Sequence, residues 1–249
     1  YYLRRNGSAL HKINAMIGYD RPLKPEWIYK TLRLVEPGKK PEDFYDAYND
    51  IAVELTGKDG RRKTRTVLFR TFIYSFQESK SLIENNFLIE LSKQKDFNYM
   101  KPIYLAMFIM DYEILKYFTQ TYFKIFDSSQ EISSTALTKK MTETYGDAEI
   151  IKRSTRSFLK TLSDFDIIEP KTTTTYEQIR KLTLSEEQVA DILKLYAIVN
   201  HTKQINIGAM DKTIFAYYQI PDLSTIANNY HTSKWEYIKG IDRELLMMG

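Results

Sequence analysis

The sequence predicts a mainly α protein: a helical bundle, then a winged helix-turn-helix with one small β-hairpin, then a helical C-terminal extension. Three observations predict it. Apolar residues recur at helical spacing along most of the chain. Pro-acid and Ser-Gln pairs mark helix starts. Only residues 165–184 set two β-like runs on either side of a polar tip.

Taken in order, a short helix is expected from Ser8 to Ile17, stopped by Gly18. Lys-Pro-Glu at 24–26 and Lys-Pro-Glu-Asp at 40–43 place proline at the first helical position, so helices follow near 25–35 and 41–56. A third helix should run from Asp59-Gly60 to about Phe76 and a fourth over 79–93, burying Leu82, Ile83, Leu88 and Leu91. A fifth, from Pro102 to Phe126, is apolar nearly all round and is expected to be the central strut. The aromatics of Tyr99 to Phe126 could stack unpaired bases, but their spacing on that helix argues for core.

After Asp127 the composition turns to Ser and Thr, which marks a boundary. A helix near 133–144, a turn at Gly146-Asp147 and a helix near 148–164 follow. Next come a β-like run Phe165 to Glu169, a tip Thr172 to Thr175 and a second run Tyr176 to Leu184. Helix, turn, helix and hairpin is the winged-helix order. Ser185 with Gln188 is a capping box opening a helix to about Val199, and further helices are expected near 209–217, 222–230 and 234–247. The division is therefore 1–127 as an N-terminal helical domain, 128–185 as the winged unit and 186–249 as the extension.

The chain of 249 residues is 43 % hydrophobic, enough for a sizeable core. Its 36 Lys and Arg exceed its 32 Asp and Glu by four, so the location of positive charge matters more than its total. The absence of cysteine excludes disulfides, thiolate metal sites and a Cys nucleophile, and fits a cytoplasmic location. The run Ile103 to Met110 is too short to span a bilayer, so no membrane partner is expected. No secretory leader pattern appears in the chain.

Two basic clusters stand out. On the 148–164 helix, Ile151, Phe158, Leu159, Leu162 and Phe165 form the apolar face, leaving Lys152, Arg156 and Lys160 in one column flanked by Arg153, Thr155 and Ser157. A helix entering the major groove needs cations for phosphates and Arg or Ser/Thr side chains for base edges; the plainer reading is a solvated basic face. The second cluster, Lys58, Arg61, Arg62, Lys63, Arg65 and Arg70 with one acid, Asp59, carries +5 over residues 58–70 at a helix N-terminus. It suits a phosphate backbone, a mobile solvated turn or an acidic protein surface.

Enzymatic signatures are weak. His11, His201 and His231 have no ligand-like or triad-like neighbours, and no phosphate loop or nucleophile elbow appears. Asp46, Asp50 and Glu54 share a helical column that a magnesium-dependent nuclease could use, though solubility explains it as well. The expectation is a protein with no catalytic centre and no cofactor.

The stretch Leu105 to Leu184, with its central apolar helix, Ser/Thr-rich entry, Arg153-Ser154-Thr155-Arg156-Ser157-Phe158-Leu159 and Ile167-Ile168-Glu169, resembles the BrxA family of the BREX phage-defence systems of bacteria and archaea. Upstream, Arg61-Arg62-Lys63-Thr64-Arg65 is similar to a Thr-Ala-x-Arg-rich helix of that family. The resemblance implies a helical bundle joined to a winged helix, non-enzymatic double-stranded DNA binding, and a role in antiviral defence beside other BREX proteins. Residues through about 57 and after 185 depart from the family and inherit nothing. The expected DNA contacts are Lys152, Arg153, Thr155, Arg156, Ser157 and Lys160, with Arg61, Arg62, Lys63, Arg65 and the Thr172–Thr175 tip on backbone. The alternative is a structural adaptor whose winged unit binds protein.

Overall fold

The computed structural model describes residues 19–126 and 131–249. The expected helix Ser8 to Ile17 and the boundary just after Asp127 lie outside them. Among the described residues the chain is mainly helical, with small antiparallel sheets, and no helix is long and apolar enough to cross a membrane.

α1 (Pro25–Leu34) opens on its proline and buries Trp27, Ile28 and Leu32. The expected helix over 41–56 is split. Pro41–Phe44 forms a 3-10 turn, tightened by the Lys40 amide donating to Asp43 Oδ2 at 3.1 Å, and α2 covers only Tyr45–Ile51. Beyond it Arg61 donates to the carbonyls of Leu55 and Val53, which therefore do not continue a helix. α3 (Lys58–Phe72) then buries Val67, Leu68, Phe69 and Phe72, followed by a 3-10 turn at Tyr74–Phe76.

The fourth helix is shorter than expected: α4 spans Phe87–Gln94, capped by Asn86 Oδ1 accepting from the Ile89 amide at 2.9 Å. Residues 79–86 form a loop instead, because Gln77 bonds across it to Leu82 O and the Glu84 amide, and Ile83 pairs both ways with the 38–39 backbone. Leu82, expected in the core, is 45 % exposed. The expected continuous strut is two helices, α5 (Phe97–Asp111) and α6 (Glu113–Ile125). Tyr112 breaks it. Its backbone is extended, and its buried hydroxyl accepts from Arg70 Nη2 at 2.9 Å and pairs with Thr71 Oγ1 at 2.8 Å. α5 is buried from Met100 through Ile109 and forms the centre of the core.

β1 (Ile132–Ser133), α7 (Ser134–Tyr145), α8 (Glu149–Asp164), β2 (Ile168–Pro170) and β3 (Thr175–Gln178) follow. Gly146, at φ +88°, makes the turn between the two helices, a conformation that favours glycine. The sheet has the order β1-β3-β2, with Ile132 opposite Tyr176 and Ile168 opposite Gln178. The second β-like run is shorter than expected, since residues 182–184 bond to Gln219 instead.

α9 (Glu186–Val199) has both halves of the Ser185–Gln188 capping box. The rest of the extension is not helical as expected. It contains β4 (Gln204–Asn206), a 3-10 turn at Lys212–Phe215, α10 (Leu223–Asn229), β5 (Glu236–Lys239) and β6 (Glu244–Met247). The strands form a second sheet of order β4-β6-β5, so the expectation of one hairpin in the whole chain fails. The segment 234–247 pairs because β4 supplies a distant partner: Leu246 lies opposite both Ile205 and Tyr237, fully buried. One continuous set of packed buried side chains runs through all three expected segments.

Candidate nucleic-acid interface

α8 follows the turn at Gly146-Asp147 and turns more than half its circumference inward. Phe158 meets Phe118 edge-on at 5.0 Å and Tyr19 at 6.1 Å. Thr161 pairs with the Tyr19 hydroxyl and accepts from the Leu23 amide at 3.2 Å, tying the helix to the chain before α1. Burial raises the Tyr19 hydroxyl far above its ordinary pKa, so it remains a neutral donor in this contact.

Small polar residues are part of this buried face. Thr155 is 1 % exposed with its hydroxyl on Ile151 O at 3.0 Å, and Ser157 is 8 % exposed. Both were expected at the DNA and cannot reach it from there. Their short side chains let α8 lie close to its neighbours. The outward ridge is therefore Glu149, Lys152, Arg153, Arg156 and Lys160.

Every cation on this ridge has a carboxylate. Lys152 meets Asp147 at 2.6 Å, Arg153 and Arg156 share Glu149 Oε1 at 3.2 and 2.8 Å, and Lys160 meets Asp164 at 2.6 Å. The hydrogen bond from Arg153, together with the nearby Arg156 charge, holds the Glu149 carboxyl below its ordinary value, and the bond to Asp147 raises Lys152. Four cations against three carboxylates leave one net positive charge.

The tip beside it is less basic than the expected backbone grip requires. Thr172 Oγ1 accepts from the amides of Thr174 at 3.2 Å and Thr175 at 3.1 Å, which closes the turn and engages that hydroxyl. Lys171 is paired with Glu177 at 2.6 Å, and its charge also feels the exposed Glu131 and Glu169.

The second cluster divides by role. Arg61 holds the end of the α2 segment through the Leu55 and Val53 carbonyls, and Arg65 lies 3.5 Å over the Tyr45 ring. Arg70 donates to Tyr112. These side chains are half-buried and serve the fold, which corrects the assignment of Arg61 and Arg65 to backbone contact. Exposed Arg62 meets Asp59 at 3.5 Å, while Lys58 and Lys63 are exposed with no ion-pair partner among the described residues.

Nor do the clusters share a surface. Arg70 of α3 binds Tyr112, Tyr112 packs on Tyr19, and Tyr19 packs on Phe158, which stands half a turn round α8 from Glu149. The core lies between them.

Of the acidic column, Glu54 is taken by Lys24 at 2.8 Å and Trp27 Nε1 at 3.1 Å and lies beyond the end of α2, away from the helical column with Asp46 and Asp50. Among the described residues no group of three or more His, Asp or Glu is arranged to hold a metal ion. His231 Nδ1 accepts from the Tyr237 amide at 2.8 Å, a structural contact. The sequence reading passed over Lys139 on α7 and Arg180 after β3, both exposed and without an ion-pair partner among the described residues. Each stands outside a run of charge, so no pattern marks it.

No family model matches the chain, and no curated protein or solved structure matches it either.

Proposed function

We propose that the chain binds double-stranded DNA without catalysing a reaction, and that residues 128–185 act as a winged helix-turn-helix with α8 in the major groove. The observation that carries the reading is the element order α6, β1, α7, α8, β2, β3 with β3 between β1 and β2, which leaves a ridge of four cations on the second helix of the turn facing solvent. The ridge's ion pairs are solvent-exposed and contribute little to stability, so phosphates can replace the carboxylates at small cost. Counterion release from the duplex then drives association.

A second reading has its own support. The matched carboxylates on the ridge and the Glu131, Glu169 and Glu177 around the tip suit an adaptor whose winged unit binds protein. A place in a BREX-type defence system, beside other proteins of that system, rests on the resemblance across Leu105 to Leu184 alone.

The test is a titration of unrelated labelled duplexes at two salt concentrations. Binding in the micromolar range at low salt that weakens steeply with added salt is expected for the DNA reading. Absence of binding at low salt favours the adaptor.

A further inference from the structure

In the major groove each side-chain type has its own base edge. Arg and Lys donate to guanine O6 and N7, Asn and Gln bond adenine, Asp and Glu accept from cytosine N4, and small apolar groups touch the thymine methyl. α8 contains no Asn and no Gln. Its Ser154, Thr155, Ser157 and Thr161, which could have served other bases, are buried, and Ile150 packs against the core. The first turns of a recognition helix supply the base contacts. There, the outward side chains are Glu149, Lys152, Arg153 and Arg156, each of a type that pairs with guanine or cytosine.

Geometry narrows this further. Arg153 and Arg156 both donate to the same oxygen of Glu149, so two guanidinium groups stand side by side with a carboxylate between them. Lys152 and Lys160 are drawn instead toward Asp147 and Asp164. Two adjacent forks match the stacking of adjacent base pairs.

We infer that α8 selects duplexes with adjacent G·C pairs, Arg153 and Arg156 donating to guanine O6 and N7 and Glu149 accepting from cytosine N4. The inference rests on the DNA reading above. Lys152 and Lys160 contact phosphates and carry no base preference. The tip adds none, because the minor groove chiefly separates A·T from G·C and the Thr172 hydroxyl is engaged in its own turn.

Fluorescence anisotropy tests it with three duplexes of equal length: one with a G·C core, one wholly A·T, and the G·C duplex carrying 7-deazaguanine, which lacks the N7 acceptor. The G·C duplex should bind about tenfold or more tightly than the A·T duplex. 7-Deazaguanine should remove most of that advantage. The double variant Arg153→Ala, Arg156→Ala should bind all three alike, with its remaining affinity still dependent on salt. Equal affinity of the unaltered protein for the three duplexes, or a G·C preference that survives 7-deazaguanine, overturns the guanine reading and leaves DNA binding standing. No binding to any duplex at low salt overturns the DNA reading itself.

Discussion

Replacing Lys152, Arg156 and Lys160 together by alanine leaves Arg153 as the single ridge cation against Asp147, Glu149 and Asp164, so the local charge moves from one positive to two negative. Each phosphate contact contributes about 0.9 to the slope of log affinity against log salt, so three lost contacts flatten it by about 2.7. Between about 50 and 200 mM salt the unaltered protein should therefore lose roughly 40-fold more affinity than the variant. Anisotropy of one labelled duplex over a salt series measures both slopes. The substitutions lie on a solvent-facing helix ridge, where alanine is a good helix former, so the melting temperature should stay within about 3 °C. Charge reversal, Lys152→Glu with Arg156→Glu and Lys160→Glu, should abolish binding altogether. Unchanged affinity and slope in a folded alanine variant would refute the ridge as the interface. The Lys58, Arg62 and Lys63 end of α3 would then be the first candidate.

Three further outcomes are expected. Thr161→Val removes the partner of the Tyr19 hydroxyl and of the Leu23 amide in a buried site, and should cost about 2 kcal/mol in a urea melt without changing DNA affinity. Arg65→Ala loses the contact over Tyr45 and should cost about 1 kcal/mol while leaving the salt slope of DNA binding as it was, which separates its structural role from phosphate contact. Asp211 is partly buried, which works against its charge, but hydrogen bonds from Lys116 and Thr213 outweigh this and hold its carboxyl below the ordinary 3.8. A depressed carboxyl stabilises the fold fully above that ordinary value and loses its effect as pH falls through the folded one. The stability gap between the unaltered protein and Asp211→Asn should accordingly close in acid melts below about pH 4.

Helix starts were the most legible feature of the chain. Proline opens α1, and the Ser185–Gln188 box opens α9 with both of its bonds made. These signals are local, formed by residues within a turn of one another, so neighbouring sequence suffices to read them. The α7–turn–α8 pair was readable for the same reason, through Gly146 and the apolar stripe of α8. Basic clusters were legible as composition but not as surfaces. Whether an arginine faces solvent, a carbonyl or a ring depends on what folds beside it, and Arg61, Arg65 and Arg70 were claimed by Leu55, Tyr45 and Tyr112.

What the sequence determined by itself is the helical character, the positions of the caps, and the cationic column of α8, all of which follow from periodicity and spacing within single elements. Tertiary structure decided the rest. Tyr112 breaks the apolar strut because its hydroxyl finds Arg70 and Thr71 on another helix, and a buried hydroxyl must be paired. Segment 234–247 becomes a hairpin because β4, more than thirty residues upstream along the chain, offers Leu246 a partner strand. Thr155 and Ser157 turn inward because α8 packs closely against its neighbours, and only small side chains fit there. In each case the deciding partner is distant in sequence, and no local pattern carries its position.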